Sequence, residues 1–328
     1  MATAKDVADR AGTSTAVVSY VFNNGPRPVS EATKARVLQA AKDLNYRPHA
    51  AARSLTTGRT DSFGLVVPSI QNPFFGELAH AVEIAAKAAG HLLLIADSAM
   101  DPEQERRQID AFVGRRVDGI ILVSCETKQD ISGVISNGIP VVALHPVGKE
   151  QPSKTVFMNY SKAAESLANH LIVKHRIDSL LLMTAVSERG GSKDHRTGVT
   201  TAIANSSEAV QLREIQADVS RASAYEVCRL YLKENKKPDA IYCATDEQAY
   251  GVLAALNSLG INVPQEIKVV GFDGTSHSEF SVPSLTTVRQ PLEIIAKRAI
   301  DLLIGADVEP LPQDALDGQL VIRHSCGC

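Results

Sequence analysis

Residues 3–23 read TAKDVADRAGTSTAVVSYVFN, and this stretch decides the fold of the N-terminal part of the chain. Thr3 precedes a run of helix formers, with Asp6 three places further on, the spacing of a reciprocal capping pair. Gly12 and Thr13 interrupt the run, and Ser14 is placed to cap a second helix over Thr15 to Asn23. Val17, Val18, Val21 and Phe22 fall on one face of that helix, leaving Thr15, Ala16, Ser19, Tyr20 and Asn23 on the other. Two short helices joined by a glycine turn, the second with an uncharged outer face, predict a helix-turn-helix reader. A third helix is predicted from Ser30 to Leu44, with Val37, Leu38, Ala41 and Leu44 as its buried stripe.

Charge points the same way. Residues 1–60 hold nine Lys and Arg against four Asp and Glu, a net of +5, whereas the other 268 residues hold 25 against 33, a net of −8. A basic head on an acidic body directs phosphate contacts to the head. The pattern alone also admits a small helical bundle with a solvated basic face.

With 328 residues, 44% of them hydrophobic, the chain can bury a large core and is expected to hold more than one unit. There is no run of 18 apolar residues and no secretory pattern at the N-terminus. A soluble cytoplasmic protein with no membrane partner is therefore expected. Cys125, Cys228 and Cys243 lie in or near apolar segments and read as reduced core thiols. Cys326 and Cys328 could form a metal or redox pair. Two thiolates alone do not close a zinc site, so no metal is expected and the C-terminus reads as a frayed tail.

From residue 62 strands and helices alternate. Candidate strands are 63–68, 91–96, 119–124, 140–144, 179–183, 240–243 and 268–271, with helices such as 74–89, 103–116, 162–174, 222–233 and 248–259 between them. Near-continuous apolar strands separated by helices predict parallel sheets covered on both faces. The length fits two such sheets, with a crossing near Asn159–Ser161 and a return near Pro283–Pro291.

Lys5–Ala8 through Gly12, Ser14–Ser19 and Val21–Asn23 resemble the headpiece of the lactose/galactose-repressor (LacI/GalR) transcription regulators. Val29–Ser30, Arg36–Val37, Leu44–Pro48 and Ala52–Leu55 match its third helix and hinge. Phe63–Pro68, Val117–Gly119, Thr245–Asp246, Val270–Asp273 and Leu285–Val288 continue the match through the body. The resemblance implies an all-α headpiece over residues 1–46, a hinge helix and linker over 47–60, and an α/β body over 61–328. That body would be periplasmic-binding-protein-like, with two doubly wound parallel-sheet lobes that bind effector and dimerise.

The resemblance also assigns roles. Thr15, Ala16 and Tyr20 take the base-reading positions, none of them a bidentate arginine, so direct readout should be modest. Thr3 opens the first helix of the DNA-binding head. Ser14, Ser19 and Asn23, with Arg27 and Lys34, suit phosphate or orienting contacts. The segment around Ala52 has good helix formers but little apolar surface, and should fold on binding DNA. Leu55 matches the minor-groove wedge of the family, while His49 departs from the asparagine common in its hinge. Two heads imply a homodimer on a double-stranded, pseudo-palindromic operator. No heptad tail follows Leu320–Arg323, so a tetramer is not expected.

A small effector, a sugar or related metabolite, is expected where loops leave the carboxyl ends of the strands. Position matching offers Ser69, Asn72, Phe74, Phe75, Arg189, Thr245, Asp246 and Asp273. The family's ligand arginine lies three places before a glycine. Counting back from Gly198 gives His195, with Arg196 one place off. Asn159 and Tyr160 stand where the family favours an aspartate, and there is no tryptophan to stack on a sugar. A periplasmic binding protein would have no use for the basic head. No phosphate loop, zinc helix or nucleophile elbow marks an enzyme. The expectation is a DNA-binding transcriptional regulator, a repressor with no cofactor, gated by a small molecule of unknown identity.

Overall fold

The computed structural model describes residues 2–23, 27–47, 58–124, 131–144, 154–186, 191–306 and 316–328. Expectations for the hinge helix, Ala52 and Leu55, and for Arg189 and Cys125, lie outside the described residues. The chain divides into two compact units, Met1–Thr60 and Asp61–Cys328.

The first unit holds α1 (Ala4–Ala11), α2 (Thr15–Asn23) and α3 (Glu31–Asp43). Thr3 and Asp6 form a complete capping box: the Asp6 amide donates to the Thr3 hydroxyl at 3.3 Å, and the Thr3 amide donates to the Asp6 carboxylate at 2.7 Å. Gly12 ends α1 at φ 62°, a left-handed conformation that glycine adopts without a side-chain clash. The core is small: Val7, Ala8, Ala11, Val18, Val37, Ala40 and Ala41, with Val21, Phe22, Leu44 and Tyr46 at its margin. Leu38, expected inside, is 45% exposed. It lies about 100° around α3 from Val37, whereas Ala40 and Ala41 fall within about 60° of it on either side. Two alanines on that face let α3 approach α1 closely.

The second unit has two lobes. In the first, β1 (Ser62–Val67), β2 (Leu92–Asp97), β3 (Gly119–Leu122), β4 (Val141–Ala143) and β5 (Lys154–Thr155) form a parallel sheet in the order β2-β1-β3-β4-β5. In the second, β6 (Ser179–Thr184), β7 (Gln211–Gln216), β8 (Ala240–Cys243) and β9 (Lys268–Val270) form a parallel sheet in the order β7-β6-β8-β9. Every residue of β1, β3 and β8 is buried, as sheets covered on both faces require. β7 was not legible as an apolar run because it is an edge strand, alternating between exposed and half-buried residues.

Helices α4 (Pro73–Ala88), α5 (Pro102–Gly114) and α6 (Ser132–Ser136) belong to the first lobe. The second lobe carries α7 (Tyr160–Asn169), α8 (Ser192–Asn205), α9 (Arg221–Glu234), α10 (Asp246–Ser258) and the short α11 (His277–Phe280). Helix α12 (Leu292–Leu303) follows β10 (Thr287–Arg289) yet returns to the first lobe, where Leu292, Ile295, Ala296, Ala299, Ile300 and Leu303 join the core. The chain therefore crosses between the lobes three times: at Val156–Met158, at Val288–Leu292, and from Leu316 to Leu320. The last crossing carries β11 (Gln319–Val321), which pairs antiparallel with β10. Among the described residues no helix is long and apolar enough to cross a membrane.

The C-terminus is not frayed. His324–Cys326 form a 3-10 turn, Cys326 is fully buried, the Ser325 amide donates to the Ser284 carbonyl at 2.9 Å, and the Ser325 hydroxyl donates to the Val269 carbonyl at 2.6 Å. The sequence offered no apolar run there; the anchoring is polar.

Candidate nucleic-acid interface and effector cleft

In the headpiece the Ser14 hydroxyl accepts the Val17 amide at 3.3 Å, fixing the start of α2. Val18 points into the core, and Thr15, Ala16 and Ser19 are exposed, with Tyr20 half-buried. The frame beneath them is held by Arg36, whose Nε donates to the Ala11 carbonyl at 3.2 Å, and by Arg10 paired with Asp43 at 3.0 Å. Arg27 is exposed beyond the end of α2. The Thr3 hydroxyl is engaged in its cap, as is that of Ser14, so both residues shape the head as well as bordering its surface.

In the body, the first-lobe candidates gather at the start of α4. Asn72 caps that helix, its side-chain oxygen accepting the Phe74 amide at 3.0 Å, and Pro73 occupies the first helical position. Phe74 and Phe75 meet edge to face at 5.2 Å and pack on the first-lobe core. Ser69 is turned to the chain, accepting the Gln71 amide at 3.3 Å. Glu77, one turn further along α4, reaches the other lobe: its carboxylate accepts the Ser276 amide at 2.8 Å and the Ser276 hydroxyl at 2.7 Å.

The second-lobe candidate Asp273 lies in the loop after β9, which carries Ser276 to Glu77. Asp273 is buried at φ 128°, a region that L residues rarely adopt, and is locked there by backbone bonds to Val288 and Gln290. Gly274 follows at φ 69°, and a Cβ there would lie 2.3 Å from the Arg289 Cα. Asp273 Oδ1 accepts the Gln290 amide at 3.0 Å, and the Gln290 oxygen accepts the Tyr160 hydroxyl at 3.0 Å. Burial and the neighbouring Asp246 raise the Asp273 carboxyl well above the usual carboxylate range.

Asp246 differs from Asp273 although both matched the family pattern. It is fully buried, and its two oxygens accept the Thr275 amide at 2.8 Å, the Thr275 hydroxyl at 3.0 Å and the Thr287 hydroxyl at 2.6 Å. Burial pushes its carboxyl up to about 6 in spite of these bonds. Asp246 thus positions the loop that carries Ser276. Thr245 caps α10 through the Gln248 amide at 3.2 Å.

Helix α8 explains the arginine-glycine offset. A Cβ on Gly198 would lie 2.3 Å from the Ser161 carbonyl, so α8 packs with its backbone against α7 at this point. Three residues back is about 300° around a helix, which puts His195 on the same inward face and Arg196 beyond it. His195 is buried, its Nδ1 2.8 Å from the Tyr242 hydroxyl and its ring edge-on to Phe272 at 4.5 Å. Tyr160 stacks on Phe272 at 5.7 Å. Burial pushes the His195 imidazole down to about 3. Arg196 instead points outward and pairs with Glu214 of β7 at 2.7 Å. Tyr242 and Gln290, which bond to His195 and Asp273, carried no signal in the sequence, whereas Tyr160 stands at the expected crossing. A recess of about 340 Å³ opens there, lined in part by Asn159, Tyr160 and Asp194.

The sequence resembles known families along its length. Residues 3–49 match bacterial regulatory proteins of the lacI family, and residues 169–326 match the periplasmic binding protein-like domain. The HTH-type transcriptional repressor PurR of Pectobacterium atrosepticum is 32% identical over 307 residues, covering 93% of this chain and 90% of that protein. The PurR repressor of Pasteurella multocida is 30% identical over 331 residues, covering 99% and 98%. The fold is that of the lac repressor dimer bound to operator and the anti-inducer ONPF, with a TM-score of 0.85 at 23% identity over 99% of both chains. The CelR–cellobiose complex superposes with a TM-score of 0.70 at 24% identity over 99% of this chain and all of that one. The chain belongs to the LacI family of bacterial transcriptional regulators, DNA-binding proteins rather than enzymes.

Proposed function

We propose that this regulator represses transcription as a cytoplasmic homodimer on a pseudo-palindromic operator, and that a small metabolite held between the body lobes sets its affinity for DNA. The head spans residues 1–46, the hinge 47–60 and the sensor 61–328. Thr15, Ala16 and Tyr20 read base edges; Ser19, Asn23 and Arg27, with the capped ends at Thr3 and Ser14, orient the head on phosphates. Ala52 and Leu55 belong to the hinge that enters the minor groove.

The observation that carries the sensor reading is the pair of bonds by which Glu77 of α4, in the first lobe, holds Ser276, in the loop after β9 of the second. The effector contacts are then Asn72, Phe74 and Phe75 in the first lobe and His195, Asp273 and Gln290 in the second, with Ser69 near the first set and Arg189 kept as a candidate from the family match alone. A neutral imidazole, a carboxyl and aromatic faces suit a small, flat or ring-shaped metabolite with hydrogen-bond donors. Asp246, Thr245 and Arg196 act on the frame.

Selection of genomic fragments by the purified protein at fixed salt tests the reading. Recovery of one pseudo-palindrome with a flexible central step, and altered base preference in Thr15→Ser, is the expected result. Enrichment of nothing above background, with and without added cell metabolites, would overturn it.

A further inference from the structure

We propose that His170, His175, Cys326 and Cys328 form a tetrahedral metal site, with zinc as its ion, that staples the C-terminus to the second lobe. Their ligand atoms all lie within 4.8 Å of one another. His170 Nε2 is 3.3 Å from His175 Nε2, 3.5 Å from Cys326 Sγ and 3.6 Å from Cys328 Sγ, and Cys328 Sγ is 3.3 Å from His175 Nε2. A tetrahedron with Zn–N of about 2.05 Å and Zn–S of about 2.3 Å has N–N edges of about 3.4 Å and N–S edges of about 3.6 Å. Four of the six edges match such a tetrahedron, and the other two, from Cys326 Sγ to Cys328 Sγ and to His175, lie within 4.8 Å.

Local structure explains how residues so far apart in sequence converge. Helix α7 passes at His170 into a π-helical segment, His170–Lys174, ending at His175. In an α-helix residues five apart are turned by about 140° from each other; the wider i→i+5 turn brings both imidazoles to one side. At the other end the 3-10 turn His324–Cys326 is followed by Gly327 at φ 95°, which reverses the chain so that both sulfurs face the same point across a single residue. Both departures from regular structure serve this cluster.

Hydrogen bonding does not account for the geometry. His170 Nε2 carries either one proton or one lone pair, yet it faces three polar atoms within 3.6 Å. A cation at their centre satisfies all four ligands at once. Two imidazole nitrogens with two thiolates in tetrahedral array select zinc over oxygen-seeking ions. The surroundings are organised as well: the Thr286 hydroxyl accepts the Arg323 amide at 2.8 Å and lies 3.0 Å from the Arg323 carbonyl and 3.1 Å from Cys326 Sγ, its one proton available to either. The Cys326–Cys328 pair is half of a site whose other half lies on α7 and its extension, which is why the thiols alone did not reveal it.

The test uses the untagged full chain, stripped with chelator and kept reduced, with its thiols counted before use. Co²⁺ is titrated in and followed by the visible bands of a tetrahedral thiolate complex, then displaced with Zn²⁺, and zinc content is measured by elemental analysis. One equivalent per chain is expected. Affinity should fall at least 100-fold in Cys328→Ser and in His175→Gln; Cys328 is exposed and His175 half-buried, and circular dichroism checks that each variant is folded. A reduced wild-type protein that takes up no Co²⁺ or Zn²⁺, or folded variants that both bind Co²⁺ with wild-type affinity, would overturn the assignment.

Discussion

His195 should give the body a measurable loss of stability in acid that its replacement removes. The imidazole is fully buried, and burial lowers its pKa from 6.5 to about 3. The unfolded chain therefore binds a proton at this side chain below pH 6.5 that the folded chain refuses. The stability tied to neutral His195 is present above pH 6.5 and drains away as pH falls toward 3, at about 1.36 kcal/mol per pH unit. Between pH 7 and pH 4.5 the loss is about 2.5 kcal/mol. Asp246 acts in the opposite sense: its pKa is raised from 3.8 to about 6, so its contribution is present below 3.8 and is lost as pH rises through 6. The wild-type curve mixes both, and the comparison must be between proteins. His195→Asn retains an amide able to reach the Tyr242 hydroxyl and has no titration. It will lower stability at neutral pH through lost packing, but it should lose about 2.5 kcal/mol less than wild type on going from pH 7 to pH 4.5. Denaturant unfolding followed by far-ultraviolet circular dichroism at the two pH values reads the difference. Equal pH dependence in the two proteins would refute a neutral, desolvated His195.

Three further outcomes follow from contacts described above. Thr3→Ala should cost the headpiece about 1 kcal/mol by breaking its capping box, seen as a lower melting temperature of the headpiece; an unchanged melt would mean the cap contributes nothing. Gly198→Ala drives a methyl into the Ser161 carbonyl and should destabilise the body by about 1–3 kcal/mol, measured by thermal unfolding, whereas a neutral result would show that α7 and α8 slide apart freely. Glu77→Ala removes the bonds to Ser276 and should speed amide hydrogen exchange in residues 273–276 while leaving the cores of both lobes protected. Unaltered exchange in that loop would deny the contact a role in closure.

The parts of the fold that repeat a period were legible in the sequence. The capping pair at Thr3 and Asp6, the glycine turn at Gly12 and the valines of α2 set the headpiece almost to the residue. The apolar runs read at 63–68, 119–124 and 240–243 located the central strands to within two residues, because strands covered on both faces have no polar alternative. Leu38 was misplaced because it sits at the border of a stripe that alanines complete. The third crossing, 316–320, was missed because its strand is short and half-exposed. Site residues were harder, since one local pattern serves two ends. Asp246 and Asp273 each leave a strand end beside apolar residues, and only the threonines at 275 and 287 show that Asp246 is already satisfied. His170, His175, Cys326 and Cys328 lie far apart in the chain, and no period connects them.

The Glu77 contact also constrains how a ligand acts on this protein. Glu77 and Ser276 hold the two segments together; Phe74 and Phe75 stand on the first of these segments and Asp273 on the second. A metabolite that contacts both walls gains its full set of contacts only when they are close, so it favours the pose that the Glu77–Ser276 bonds already favour. One that fills only the Asp273 side has no such preference and shifts nothing, however tightly it binds. Linkage then fixes a relation between two measurements: the factor by which Glu77→Ala reduces the population of closed body is the factor by which it weakens a ligand specific to that pose. Calorimetric titration of an effector identified from the regulated genes, into wild type and Glu77→Ala, should show weakened binding in the variant without loss of stoichiometry. Equal affinity, with loop exchange increased, would mean that the ligand reads one wall only and that closure is set elsewhere.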